Sequence, residues 1–253
     1  ATVYNKAYNT ATSYLESTTA TDTDYTNAYN ALVAANDALV MNMPNTEKYY
    51  VLRSAYSSYS KDALAYADPA DNKMRWAANK TTADATAIWT FTPSTDGKFI
   101  VSNLHTGTNI NGFINNRPSP LSETGNDVSI VSLSGNGIVG IKCNNTMMHA
   151  QKDLNAIVHW DTDASGASAW RIEEVDMTQV KHQLTIGEYL HAGLYLNYAV
   201  TIPDGMKAYY IDGSNISIDN GVGTLKLTQI QIEGNVLPAK TAVIIDAPQG
   251  DYN

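Results

Sequence analysis

The sequence predicts a mainly β chain: an N-terminal α-helical hairpin, a threefold-repeated β region, and a small antiparallel sheet or sandwich at the end. Three observations carry this reading. Apolar residues recur every three or four positions up to about residue 43. From Glu47 the period changes to two, as in half-buried strands. Short strand-like segments then return at intervals of roughly 40 residues, the mark of an internal repeat.

In the first segment, Tyr4, Ala7, Tyr8, Ala11, Tyr14 and Leu15 follow helical spacing, and Tyr25, Ala28, Tyr29, Leu32, Val33 and Leu39 repeat it. The polar stretch Thr18 to Asp24 connects them, with Asp22 or Asp24 as the expected cap of the second helix. Pro44 closes the pair. Helices of about 15 residues are marginal alone and must pack on each other or on a neighbour.

The repeated region opens three times with alternating segments: Lys48 to Arg53, Lys98 to Asn103, and Gly137 to Asn144. It closes three times, with Ile88-Trp89-Thr90-Phe91, Val128-Ser129-Ile130-Val131 and Ala169-Trp170-Arg171-Ile172. Trp89 and Trp170 lie about 80 positions apart with Val128 near the midpoint, so they read as the core aromatics of a threefold repeat. Units this small lack a core of their own and are expected to close around a pseudo-threefold axis. After Met177, strands are expected at Leu194–Pro203, Lys207–Ile211, Thr224–Ile230 and Ala242–Asp246, separated by Gly, Asn and Pro punctuation. The expected division is 1–44, 45–177 and 178–253.

Composition excludes several functions. A net charge of −9, without a basic run, argues against a nucleic-acid partner, because phosphate recognition needs clustered Lys and Arg. No apolar run approaches the roughly 18 residues of a membrane span. A single cysteine, Cys143, rules out internal disulfides and thiolate metal clusters, and its strand context suits a small buried hydrophobe. Charged residues are only 16% of the chain and Tyr outnumbers Phe 16 to 3, so the surface should be polar, uncharged and aromatic, a mixture suited to carbohydrate.

The three openings, together with His105-Thr106-Gly107 and the third-unit segments Met148-His149-Ala150-Gln151, Val158-His159-Trp160-Asp161 and Ser168 to Glu173, resemble a ricin-type β-trefoil. Leu194–Pro203, Ile230–Gly234 and Val236 to Val243 look like the small β module that often closes secreted proteins of polysaccharide-degrading bacteria. The hairpin is similar to spacer repeats found beside them. The resemblance implies a lectin-like, non-catalytic accessory region, extracytoplasmic, accompanying a glycoside hydrolase domain in the same parent protein. It departs from the family pattern where Val128 replaces Trp and where the Gln of the closing Gln-x-Trp is missing.

A sugar site needs an aromatic face and a few fixed polar groups. The third unit offers His149, Gln151, Asn155, Trp160 and Asp161, and the first offers Asp71 and Trp76. Trp160 ends an apolar run and could instead pack inward, and His149 beside two methionines could be structural. Enzymatic chemistry finds no support: Glu173 and Glu174 are adjacent and should face opposite sides of a strand, against the close carboxylate pair of glycoside hydrolysis. The five histidines are scattered, and His-Glu-x-x-His, nucleophile-elbow and P-loop motifs are missing, so no metal or cofactor is expected. The faint calcium-loop pattern Asp161-x-Asp163 lacks a later bidentate Glu.

Overall fold

The computed structural model describes residues 2–37, 43–133, 137–160, 166–219, 222–230 and 233–253. They fall into two compact units, Ala1–Met43 and Pro44–Asn253.

The first unit is a helical hairpin of α1 (Thr2–Leu15) and α2 (Asp22–Asp37). The cap of α2 differs from the expected aspartate. Thr21 is the cap: its hydroxyl accepts the Asp24 N–H at 3.3 Å, while the Asp24 carboxylate accepts the Thr21 N–H at 2.9 Å. This reciprocal capping box satisfies two amides that the first helical turn leaves without partners. The Tyr25 hydroxyl donates to the Tyr14 carbonyl at 3.1 Å and ties the two helices together.

The second unit begins with twelve strands: β1 (Tyr49–Ser54), β2 (Leu64–Asp68), β3 (Lys73–Ala77), β4 (Ile88–Pro93), β5 (Phe99–Asn103), β6 (Asn109–Ile110), β7 (Leu121–Ser122), β8 (Val128–Ser132), β9 (Val139–Cys143), β10 (Thr146–Gln151), β11 (Ala156–Trp160) and β12 (Trp170–Glu174). Six of them pair in a closed cycle, β1–β4–β5–β8–β9–β12–β1, which makes a barrel. The other six form three hairpins, β2–β3, β6–β7 and β10–β11. The hairpins are joined across their tops, the Met74 N–H donating to Ser119 at 2.8 Å and the Ser119 N–H to Ile157 at 2.9 Å. This is a trefoil arrangement.

The register repeats through all three units. Trp89 stands between Tyr50 and Asn103, Val128 between Phe99 and Cys143, and Trp170 between Val139 and Ser54. All three residues are fully buried, and so are Leu52, Val101 and Ile141 in the layer between. Cys143 is buried here as a hydrophobe, and burial pushes its thiol up to about 11.

Buried polar groups in this layer are satisfied, as a dry interior requires. The Trp89 indole N–H donates to the Ala65 carbonyl at 3.1 Å, and that of Trp170 to the Met148 carbonyl at 2.9 Å. Val128 has no such donor. The corresponding carbonyl, Ile110, instead accepts the Asn126 backbone N–H at 3.1 Å, which shows how the second unit does without Trp. Asn103 donates its carboxamide to the Thr86 and Ile88 carbonyls and accepts the His105 and Thr106 amides, fixing the turn after β5.

Eight further strands follow: β13 (Leu184–Ile186), β14 (His191–Leu194), β15 (Val200–Thr201), β16 (Lys207–Asp219), β17 (Val222–Gln229), β18 (Val236–Leu237), β19 (Val243–Asp246) and β20 (Gly250–Tyr252). They pair only with one another, in the order β14–β19–β16–β17 and as the two-stranded sheets β13–β20 and β15–β18. The expected strand Leu194–Pro203 is interrupted. Leu196 and Tyr198 leave the sheet to enter an apolar cluster, and Asn197 donates to the His105 carbonyl at 2.9 Å. That cluster joins Val51, Leu64, Ile88 and Leu104 of the barrel region to Ile186, Leu194, Leu196 and Ile245, so the later strands share an interior with the trefoil.

Replacing Trp170 tests the two components of this core. Trp170→Phe, which strands the Met148 carbonyl, should cost about 1–3 kcal/mol, and Trp170→Ala, which opens a cavity, about 3–5 kcal/mol, both read from urea unfolding midpoints.

Candidate functional site

The barrel register also assigns equivalent positions on the hairpins. Leu64, Asn109 and Met147 correspond, since they pair with Arg53, Ser102 and Lys142, each one residue before the end-of-strand set Ser54, Asn103 and Cys143. Two residues onward, Tyr66, Asn111 and His149 share a position. On the facing strand Ala77, Ser122 and Trp160 share another, and two residues before the barrel positions of Trp89, Val128 and Trp170 stand Ala87, Asn126 and Ser168.

In the third unit these positions build a platform. The Trp160 ring is 45% exposed and lies nearly parallel to the buried His149 imidazole, with centroids 4.5 Å apart and planes inclined by 15°. His149 Nδ1 is 2.9 Å from the buried Ser168 hydroxyl, which locks the imidazole beneath the indole. Burial lowers the His149 pKa and keeps the ring neutral at neutral pH. One face of Trp160 is thus fixed on a rigid support, and the residue stays partly open to solvent.

The other units fill the same positions differently. In the second, the Asn126 carboxamide donates to Asn111 Oδ1 at 2.7 Å, a polar pair without an aromatic, opposite Ser122. In the first, Tyr66 carries the Lys80 ammonium 4.6 Å from its ring centroid and packs against the apolar cluster shared with the later strands, opposite Ala77.

The remaining expected residues are dispersed. Gln151 and Asn155 sit at the far end of the β10–β11 hairpin from Trp160, about 13 Å away along the strand at 3.3 Å per residue. The Gln151 side-chain Oε1 is buried without a hydrogen-bond partner. The Asn155 carbonyl accepts the Trp76 backbone N–H at 3.1 Å. Trp76 is only 7% exposed and donates its indole N–H to the Gln151 carbonyl at 3.0 Å. It stands one position before the Trp160-equivalent residue Ala77, so the strand alternation turns it inward, alongside Tyr59 at 5.9 Å. Asp71 is committed to Arg75 at 2.7 Å and Lys73 at 3.1 Å. Asp161, and with it the Asp161-x-Asp163 pattern, lies outside the described residues.

The supporting role of Ser168 was not read from the sequence, although its place two residues before Trp170 is a signal that could have found it. A second grouping was also missed. His105 and His182 stack with centroids 6.4 Å apart where the trefoil meets the later strands. The Tyr198 hydroxyl is 3.3 Å from His182 Nδ1, and burial pushes that phenol up to about 12. Burial pushes the Asp84 carboxyl up, but Lys80 at 2.5 Å and Thr86 outweigh it and hold the net value below the ordinary one. Among the described residues no group of three or more His, Cys, Asp or Glu side chains could hold a metal ion.

No family model and no curated protein matches the chain. Among solved structures, the Polyporus squamosus lectin is similar to it over 50% of this chain and 49% of its own, at 13% identity and a TM-score of 0.42. The Rhizoctonia solani agglutinin is similar over 54% of this chain and 99% of its own, at 13% identity and a TM-score of 0.43. An endo-β-galactosidase from Clostridium perfringens is similar over 51% of this chain and 33% of its own, at 15% identity and a TM-score of 0.43. The chain thus spans a third of the length of that enzyme and half that of the Polyporus lectin.

The burial of His149 has a pH signature. Its folded pKa lies below the unfolded value near 6.5, so the unfolded chain takes up the proton first and stability falls as pH drops from 6.5 towards the folded value. His105 and His182, lowered in the same direction, add to the loss. The decline in urea midpoint between pH 7 and 5 should therefore be smaller in His149→Asn than in the parent, and equal declines would remove His149 from the account.

Proposed function

We propose that this chain is a non-catalytic carbohydrate-binding region whose site is the Trp160 platform of the third trefoil unit. The observation that carries the reading is an exposed indole face held on a buried, hydrogen-bonded imidazole, in a unit whose counterparts have Ala77 and Ser122 at that position. An aromatic face of this kind packs against the C–H surface of a pyranose, and pre-fixing the ring reduces the entropy lost on binding. The weakly charged surface, with 16% charged residues, favours a hydroxyl-rich ligand over a highly charged one.

One platform gives one weak site. Such a site becomes useful when a linked partner raises the effective concentration of glycan, so the reading extends to an accessory role beside a glycoside hydrolase domain in an extracytoplasmic parent protein. No described helix is long and apolar enough to cross a membrane. On this reading, exposed Asn155 at the far end of the hairpin would meet a sugar residue beyond the one stacked on Trp160, whereas Gln151, whose Oε1 is buried, serves the structure of the third unit, and Asp71 and Trp76 that of the first.

A glycan-array screen of the parent beside Trp160→Ala tests the proposal. Loss of an aromatic contact worth about 1.5 kcal/mol should weaken binding roughly tenfold. Binding that survives the substitution unchanged would move the site elsewhere. A parent that binds no glycan at high concentration would leave a structural or protein-docking module as the function.

A further inference from the structure

Beyond the trefoil, the later strands enclose a cleft of about 340 Å³, within the range of small-molecule sites. Met177, Val180, Leu184, Met206 and Tyr252 wall it, each half-buried and packed on the shared apolar cluster, with buried Ile202 behind them. Lys181 and His182 stand at its polar side. The cleft lies on a different set of elements from the Trp160 platform.

We propose that this cleft binds a small amphipathic monocarboxylate, its apolar body among Leu184, Ile202 and Met206 and its carboxylate at Lys181. Charge complementarity selects this class. The cleft lining, which includes Asn253, contains no Asp or Glu side chain, although the chain as a whole carries a net charge of −9, and among the described residues Asn253 forms no ion pair with Lys181. Lys181 is exposed and makes no ion pair among the described residues. The nearby carboxylate of Asp84 is taken up by Lys80 and Thr86, which leaves the Lys181 ammonium for a ligand. His182 is kept neutral at neutral pH by burial and by the neighbouring His105, so a single cation faces the head group. One cation matches a monoanion better than a phosphate dianion, and the apolar walls require a hydrocarbon or aromatic body.

The test is a fluorescence titration of the whole chain with 1-anilinonaphthalene-8-sulfonate at neutral pH, followed by competition with octanoate and with octanol. The expected result is saturable one-site binding, displaced more effectively by octanoate than by octanol. Lys181→Ala changes an exposed residue, and it should weaken octanoate roughly tenfold, the value of one charge-assisted contact, while leaving octanol unchanged. Met206→Trp, or Val180→Phe if the first fails to unfold cooperatively, should fill the cleft and abolish both competitors. Equal displacement by octanoate and octanol, or an unaltered octanoate affinity in Lys181→Ala, would overturn the carboxylate assignment. Non-saturable probe binding, or binding unchanged in a cooperatively folded cleft-filling variant, would overturn the site itself.

Discussion

Closure of the six-stranded barrel is the constraint on which the rest of the structure rests. A closed ring leaves no edge strand, so backbone donors and acceptors around β1, β4, β5, β8, β9 and β12 find partners on both sides. Closure also fixes register three times over. Once Trp89, Val128 and Trp170 occupy the same level, every hairpin residue is assigned to an inner or an outer face, because a shift of one position would invert them all. The two indole N–H groups then reach the hairpin carbonyls of Ala65 and Met148 and fasten hairpin to barrel.

Within that symmetric frame the three units have diverged in physical character. The first is covered: Tyr66 and Ala87 face the apolar cluster contributed by the later strands. The second is small and polar, with β6 and β7 of two residues each and an Asn111–Asn126 pair in place of a ring stack. The third keeps six- and five-residue hairpin strands and the His149–Trp160 stack open to solvent. Functional asymmetry follows from which side chains occupy equivalent positions, without any change in the barrel.

Charge contributes to the organisation of the surface more than to stability. Arg53–Glu173, Lys48–Glu174 and the Asp68–Arg75–Asp71 group join neighbouring strands, yet all are partly solvent-exposed, and water screens them so that each pair adds little to stability. The adjacent Glu173 and Glu174 are therefore engaged separately, one with Arg53 and the other with Lys48. The imidazoles behave differently, since buried His149 and half-buried His105 and His182 are all shifted downward by burial and so remain neutral parts of the packing.

The sequence by itself determined the periodicities, and with them the helical hairpin, the three repeated units and the burial of Trp89, Trp170 and Cys143. Local alternation is a property of the chain, and the residues that open and close each unit carry it. Tertiary structure alone decided the candidate site. Trp76 and Trp160 look alike in sequence, but they fall one register position apart, which sends one ring inward and leaves the other in solvent. The imidazole of His149 acquires its partner Ser168 nineteen residues later, through the turn that precedes β12. The break in the expected Leu194–Pro203 strand, the His105–His182 stack and the apolar cleft likewise arise where two sets of strands meet. Contacts between segments so distant in sequence depend on barrel closure and docking, and no local pattern encodes them.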